Sequence, residues 1–159
     1  MTDQKRAFRN ALGEFATGVA VVTTAVDGEA PIGLTINSFS SVSLEPPLVL
    51  WCLDKGSDTF DLFGRAKGFT INILNAEQQA VSGQLARPGH HGLGGLALEE
   101  GSNHCPRLVG APAAFECEVE ARHDAGDHVI FVGRVVAFHR DETHAPLIYH
   151  RGHYRALSA

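Results

Sequence analysis

The side chains best suited to chemistry are concentrated between residues 33 and 59. Nine positions of this stretch hold five hydroxyl residues and an asparagine, namely Thr35, Asn37, Ser38, Ser40, Ser41 and Ser43. Polar side chains of this kind are mostly exposed, so a strand that only packs a core would not carry so many. We therefore expect the segment to bind a ligand through neutral hydrogen bonds.

A candidate anion site follows this segment. Ser57 is a favourable N-cap for a helix predicted over residues 58–66, which has Phe60 and Phe63 on one face. The free N–H groups at a helix N-terminus attract anions, and Lys55 and the Ser57 hydroxyl stand beside them. The alternative is an ordinary capped helix with a solvated lysine. The hydroxyl-rich segment upstream favours the first interpretation, with a ligand such as a ribityl phosphate or a nucleotide.

Composition limits the class of protein. The chain has 159 residues, which predicts a single domain over 1–159 with a sizeable core. Its hydrophobic content of 44% is typical of a soluble globular protein. The net charge is -5 and the sequence contains no basic run, so nucleic acid is not an expected partner.

Neither a targeting segment nor a membrane span is predicted. The N-terminal residues lack the apolar stretch of a signal peptide, and no apolar run approaches the ~20 residues that cross a bilayer. The three cysteines, Cys52, Cys105 and Cys117, are odd in number, and two lie in apolar strand patterns. We expect reduced, mostly buried thiols and a cytoplasmic location.

The elements that must position these residues are mainly strands. Apolar spacing predicts a helix over about 3–15, whose Phe8, Leu12 and Phe15 form an apolar face, and a second helix over about 75–85. Strands are predicted over 19–26, 30–36, 48–53, 69–74, 115–122, 128–138 and 147–157, with 48–53 buried on both faces and 87–106 a loop. This pattern indicates a mainly β fold, an antiparallel barrel with a few peripheral helices. No Gly-x-Gly-x-x-Gly turn opens a helix, which argues against a Rossmann domain.

The nine histidines raise the question of a metal. His90 and His91 together with His104 and Cys105 are the candidate ligands, but their spacing matches no tight ligand pattern. We predict no metal site.

Four separated motifs resemble the short-chain flavin reductase family, the reductase components of two-component flavin monooxygenases. They are Gly-Leu-Thr-x-Asn-Ser-Phe-x-Ser-Val-Ser-x-x-Pro-Pro-Leu from Gly33, Ser-Asp-Thr from Ser57, Gly-Asp-His from Gly126, and the pair Leu-x-Tyr and Gly-x-Tyr-Arg within residues 146–155. The motifs occur in order over nearly the whole chain. The stretch 87–104 departs from the family pattern, which leaves the choice between FMN and FAD open.

The resemblance implies a Greek-key split β-barrel that binds flavin and works as a homodimer. By the same resemblance, flavin contacts are expected at eight residues, with the last three near the phosphate: Thr35, Asn37, Ser38, Ser40, Ser41, Lys55, Ser57 and Thr59. His128 is expected beside the nicotinamide as the catalytic residue, and Tyr154 as a wall of the pocket. On the residues alone, Asp127 and His128 also fit a simple tight turn.

The activity implied is an NAD(P)H-dependent flavin reductase that reduces FMN or FAD with NADH or NADPH and supplies the reduced flavin to a partner monooxygenase. Hydride transfer between two cofactors needs little acid or base chemistry from a protein, which agrees with the absence of a Ser/His/Asp set in the sequence. Two alternatives stay open, a non-catalytic FMN-binding electron carrier and a split-barrel oxidase of another substrate. The Gly-Asp-His motif favours the reductase, because a carrier needs no nicotinamide site.

Overall fold

The computed structural model describes residues 1–158 as three helices and twelve strands. The helices are α1 (Asp3–Leu12), α2 (Phe60–Arg65) and α3 (Gln79–Leu85). The strands are β1 (Thr17–Gly18), β2 (Ala20–Thr24), β3 (Ile32–Ile36), β4 (Ser40–Leu44), β5 (Pro47–Asp54), β6 (Gly68–Ile73), β7 (Leu98–Glu100), β8 (Pro106–Leu108), β9 (Ala113–Ala125), β10 (His128–Arg140), β11 (Ile148–His150) and β12 (His153–Arg155). No helix among these residues is long and apolar enough to cross a membrane.

A seven-stranded sheet forms the body of the molecule, in the order β3-β2-β6-β9-β10-β5-β4. All of its strand pairs are antiparallel. Several neighbours are distant in sequence, such as β2 with β6 and β10 with β5, so the chain crosses over between hairpins as a Greek-key barrel does. The expected mainly β, antiparallel architecture with few peripheral helices is confirmed.

The core lies inside this curved sheet and is dominated by aromatic rings. Trp51 on β5 stacks on Phe131 of β10 with 4.8 Å between ring centroids. Phe63 and Phe69 pack against Trp51 in edge-to-face geometry, with centroid distances of 4.9 and 5.8 Å. All four side chains are at most 1% exposed. Burying aromatic groups of this size supplies much of the hydrophobic stabilisation of a small domain.

The prediction that strand 48–53 is buried on both faces is wrong. Val49, Trp51 and Leu53 point into the core, whereas Leu50 and Cys52 on the other face are only half-buried. Alternate residues of a strand face opposite sides, and here the second side borders a cleft instead of a packed layer. The unbroken apolar run concealed this alternation.

Several element boundaries also differ from the sequence-based expectation. The helix predicted over 58–66 is shorter, because Thr59 and not Ser57 is its N-cap. The single strand predicted over 147–157 is a hairpin of β11 and β12, which turns where Arg151 and Gly152 adopt φ values of 51° and 75°. The loop predicted over 87–106 contains β7, which pairs with β8.

Among residues 1–158, no element packs over the apolar face of α1. The helix ends at Leu12 instead of residue 15, and it buries no residue. Phe8, Leu12 and Phe15 are 66%, 60% and 80% exposed. This face is therefore available to another surface.

Candidate functional site

Two cavities lie near the end of β3, and the smaller is lined by residues of β3, β5 and β10. The smaller, about 260 Å³, is lined by Leu34, Thr35, Ile36, Asn37, Ser38, Cys52, Leu53, Asp54, Ser57 and His128. The larger, about 860 Å³, lies between α1 and the β11–β12 hairpin. Asn37, just after the end of β3, lines both cavities. Five of the predicted site residues meet in the smaller cavity.

The end of β3 is held in place by its own hydroxyl groups. Thr35 Oγ1 donates to the Ser82 carbonyl of α3 at 2.7 Å. Ser38 Oγ accepts the Cys52 N–H at 3.0 Å and donates to the Cys52 carbonyl at 3.3 Å, which ties the loop after β3 to β5. These two hydroxyls therefore fix the cleft wall, and the exposed Asn37 between them presents its amide to the cavities.

The Ser57–Thr59 turn forms the polar end of the smaller cavity. Ser57 Oγ accepts the Thr59 N–H at 3.2 Å and lies 2.8 Å from the Thr59 hydroxyl. Thr59 is 2% exposed, whereas Ser57 is half-buried and lines the cavity. Ser57 thus presents a pre-oriented hydroxyl to the cleft.

Lys55 is engaged by a neighbouring turn. Its Nζ lies 3.2 Å from Asp124 Oδ1 at the end of β9, and the two side chains are 40% and 85% exposed. A salt bridge this exposed contributes little to stability, and Lys55 lines neither of the two cavities.

His128, the first residue of β10, lines the smaller cavity from the opposite side. Its Nδ1 lies 2.7 Å from Asp127 Oδ1. This hydrogen bond is the main cause that lowers the pKa of Asp127, so the carboxylate is ionised and Nδ1 is the donor. The other ring nitrogen, Nε2, is left to meet a ligand.

The other three predicted site residues, like Lys55 and Thr59, do not line the smaller cavity. Ser40 and Ser41 are exposed on the edge strand β4, where Ser40 Oγ donates to the Ser41 carbonyl at 3.0 Å. The Tyr154 hydroxyl lies 2.7 Å from Ser82 Oγ, and its ring packs against Tyr149 with 5.6 Å between centroids. Of these two tyrosines, Tyr149 lines the larger cavity.

Sequence reasoning missed several lining residues. Cys52 forms part of the cleft wall, and burial raises the pKa of its thiol, so the group stays neutral. Arg9, Glu14 and Arg151 line the larger cavity, where Arg151 Nη2 and Nε bind Glu14 Oε2 at 2.7 and 3.0 Å. The alternation within β5 would have revealed Cys52, but nothing local in the sequence joins residues 14 and 151.

The lining suits a flat, partly polar ligand. Leu34, Ile36 and Cys52 supply apolar surface for a ring, while Asn37, Ser57 and His128 supply hydrogen-bonding groups around it. Small-molecule sites combine a mostly apolar lining with a few placed polar groups in this way. The donor set therefore fits the ring system and phosphate of a flavin.

The candidate metal ligands do not come together. Within residues 1–158, no group of three or more His, Cys, Asp or Glu side chains is arranged to hold a metal ion. His91 pairs with Asp58 and His104 with Glu100, while Cys105 Sγ lies 4.0 Å from the Thr24 hydroxyl. The three cysteines are free thiols.

Comparison with known proteins identifies a family. The family model for a flavin reductase like domain matches residues 12–158. The FMN reductase (NADH) SmoA of Agrobacterium fabrum is 46% identical over 157 residues, which cover 98% of this chain and 88% of SmoA. The flavin-dependent monooxygenase reductase subunit HsaB of Rhodococcus jostii is 37% identical over 152 residues, which cover 96% of this chain and 77% of HsaB.

Solved structures agree with this assignment. The NADH:FAD oxidoreductase SgcE6 of Streptomyces globisporus, determined in complex with NAD and FAD fragments, superimposes with a TM-score of 0.91 at 31% identity. The alignment covers 99% of this chain and 96% of that one. The two backbones therefore share one fold over nearly their full lengths.

Proposed function

Because the chain belongs to the flavin reductase like domain family, we propose that it takes a hydride from NADH, reduces FMN, and releases the reduced flavin to a partner monooxygenase. It is thus an NAD(P)H-dependent flavin reductase. The choice of FMN and NADH follows the name of SmoA, the FMN reductase (NADH) that shares 46% identity with it.

The observation that supports this function best is the convergence of three distant segments in one cleft. Asn37 comes from the end of β3, Ser57 from the turn before α2, and His128 from the start of β10. The three side chains line a cavity with an apolar wall, as a flavin site requires. Bound flavin supplies the hydride-accepting chemistry.

The protein's own contribution is binding and orientation. In the proposed arrangement, Thr35, Asn37 and Ser38 bind the ring and ribityl chain, with Ser40 and Ser41 at the outer edge. Lys55, Ser57 and Thr59 hold the phosphate, for which Lys55 leaves Asp124. Hydrogen bonds that already hold Ser38 and Ser57 in position reduce the entropy cost of binding.

The nicotinamide enters beside the flavin site. His128 donates or accepts through Nε2 at the carboxamide, while Asp127 holds the ring by Nδ1. The larger cavity, which Asn37 also lines, has room for the rest of the dinucleotide, with Tyr149 and the more distant Tyr154 on one side. Holding two rings at contact distance is the main catalytic task of such a site.

A homodimer accounts for the undocked face of α1. Phe8, Leu12 and Phe15 expose contiguous apolar surface next to the larger cavity, whose lining includes Leu12 and Phe15. Apolar patches of this kind mark interaction surfaces. A partner monooxygenase is proposed from the name of HsaB, and a cytoplasmic location from the three free thiols.

Steady-state NADH oxidation by purified, desalted protein tests the function. We expect turnover that rises and saturates with added flavin, in the order FMN above FAD, and that is faster with NADH than with NADPH. A protein that retains a yellow flavin through desalting, yet oxidises neither nucleotide, would refute the reductase and support the electron carrier.

A further inference from the structure

His91 is a buried histidine close to the proposed phosphate site. It lies in the loop after α3 and is 8% exposed. Its Nδ1 is 3.1 Å from the Gly33 carbonyl oxygen, and its Nε2 is 2.9 Å from Asp58 Oδ1. The His91 carbonyl in turn accepts the Gly33 N–H at 2.9 Å, so the residue ties its loop to the start of β3.

Both ring nitrogens of His91 face hydrogen-bond acceptors. The Gly33 carbonyl oxygen can only accept, and the Asp58 carboxylate is ionised, because the Gly89 N–H foremost and the His91 ring after it lower the pKa of Asp58. The buried His91 ring is therefore held between the Gly33 carbonyl oxygen and the Asp58 carboxylate, whose side chain is 45% exposed.

The contact with His91 controls where the Asp58 carboxylate points. Oδ1 accepts from His91 and Oδ2 accepts the Gly89 N–H at 2.6 Å, so both oxygens are directed at the 89–91 loop. Asp58 stands between Ser57 and Thr59, the two hydroxyl residues proposed to bind the flavin phosphate. An unpaired carboxylate at this position would repel a phosphate.

We propose that His91 is a positioning residue for the phosphate site: it holds the Asp58 carboxylate against the 89–91 loop, and thereby lets the Ser57–Thr59 turn bind a phosphorylated flavin. This inference rests on the proposed flavin reductase function. It assigns His91 an effect on the phosphate and none on the flavin ring.

The difference between FMN and riboflavin isolates this effect, because riboflavin lacks the phosphate. Equilibrium titration of protein with each flavin, followed by quenching of flavin fluorescence, measures the two dissociation constants without turnover. For His91→Gln we expect the FMN dissociation constant to rise about tenfold, since one carboxylate released towards the phosphate is enough for that change. The riboflavin constant should stay unchanged.

Two further variants make the test specific. His90→Gln changes the exposed neighbouring histidine in the same loop and should leave both constants as in the wild type. In the double variant of His91→Gln with Asp58→Asn, FMN affinity should return towards the wild-type value, because the repelling charge is gone. If His91→Gln fails to fold, Asp58→Asn alone decides: FMN affinity at or above wild type supports the proposal, and weaker FMN binding overturns it.

The outcomes separate this inference from the proposed function. A wild-type protein that binds neither flavin would overturn both. A wild-type protein that binds and reduces flavin, but whose FMN and riboflavin constants change equally in His91→Gln or do not change at all, would overturn the role of His91 alone.

Discussion

Replacing Ser57 by alanine removes a hydroxyl group with two tasks in the proposed phosphate site. Ser57 Oγ lines the smaller cavity, and it also accepts the Thr59 N–H at 3.2 Å and meets the Thr59 hydroxyl at 2.8 Å. The substitution therefore removes a direct contact with the ligand and loosens the turn that carries it. The two effects act on different measurements, so they can be told apart.

The effect on FMN affinity is estimated from the hydrogen bond between Ser57 and the charged phosphate. A hydrogen bond to an ionised group contributes about 1.5–3 kcal/mol, which corresponds to a rise in the FMN dissociation constant of roughly 13- to 160-fold. The loss of the turn contact is smaller. With Thr59 2% exposed, we expect the free energy of unfolding to fall by about 1 kcal/mol, a change in Tm of ~2–4 °C for a domain of this size.

Flavin fluorescence titration and thermal unfolding of the same preparations give both quantities. Ser57→Thr is the matched control, because it keeps the hydroxyl and should retain most of the FMN affinity. Riboflavin binding should be nearly the same in all three proteins. The placement of Ser57 at the phosphate would be refuted by an unchanged FMN constant in Ser57→Ala, or by an equal loss of riboflavin affinity.

Three other substitutions test separate parts of the structure. His128→Ala removes the proposed nicotinamide contact, so NADH-dependent turnover should fall by about five- to tenfold, which corresponds to the loss of one hydrogen bond. Flavin titration should show unchanged flavin binding. Turnover equal to that of the wild type would remove His128 from the mechanism. Burial raises the pKa of Glu116, but the Ser102 and His139 hydrogen bonds outweigh it and leave the pKa below its ordinary value. The ionised Glu116 therefore stabilises the fold at neutral pH, and this contribution is lost as the pH falls. In urea unfolding, Glu116→Gln should be less stable than wild type at neutral pH and should approach the wild-type stability in acid. A stability difference that stays constant with pH would contradict this prediction. A Cβ at Gly133 would lie 2.5 Å from Phe69 Cζ and 2.9 Å from Cys117 Cβ. Gly133→Ala should therefore lower the free energy of unfolding by about 1–3 kcal/mol in the same assay. An unchanged urea midpoint would show that the neighbouring side chains move to accommodate the methyl group.

Predictions that depend on local sequence agreed best with the structure. Asp27 and Gly28 are a sequence signal for a two-residue hairpin, and Gly28 has the positive φ of 82° that such a turn requires. The strands they join end at Thr24 and begin at Ile32, however, so the connection is longer than two residues. Asn75 and Gln78 have the spacing of a capping box, and the Asn75 N–H does bind Gln78 Oε1 at 2.9 Å, although the helix begins at Gln79 and not at residue 75. Both features involve residues at most a few positions apart.

The site was predictable in its residue types but not in its side-chain directions. The motifs identified Thr35, Ser38 and Ser57, yet in the structure the first two hydroxyls bind backbone groups of Ser82 and Cys52. Ser40 and Ser41 lie on an exposed edge strand. A strand places neighbouring side chains on opposite faces, and which face borders the cleft depends on pairing with strands far along the chain.

The sequence by itself determined the mainly β architecture, the separation into hairpins and the chemical character of the site, because these follow from periodicity, turn residues and the concentration of hydroxyl groups. Only the tertiary structure decided which charges meet. Lys55 pairs with Asp124, His91 with Asp58 and Arg151 with Glu14, the last two residues lying 137 positions apart. Such pairs form because the strand register and loop packing bring them within a few ångströms, and no local preference of either residue encodes that distance.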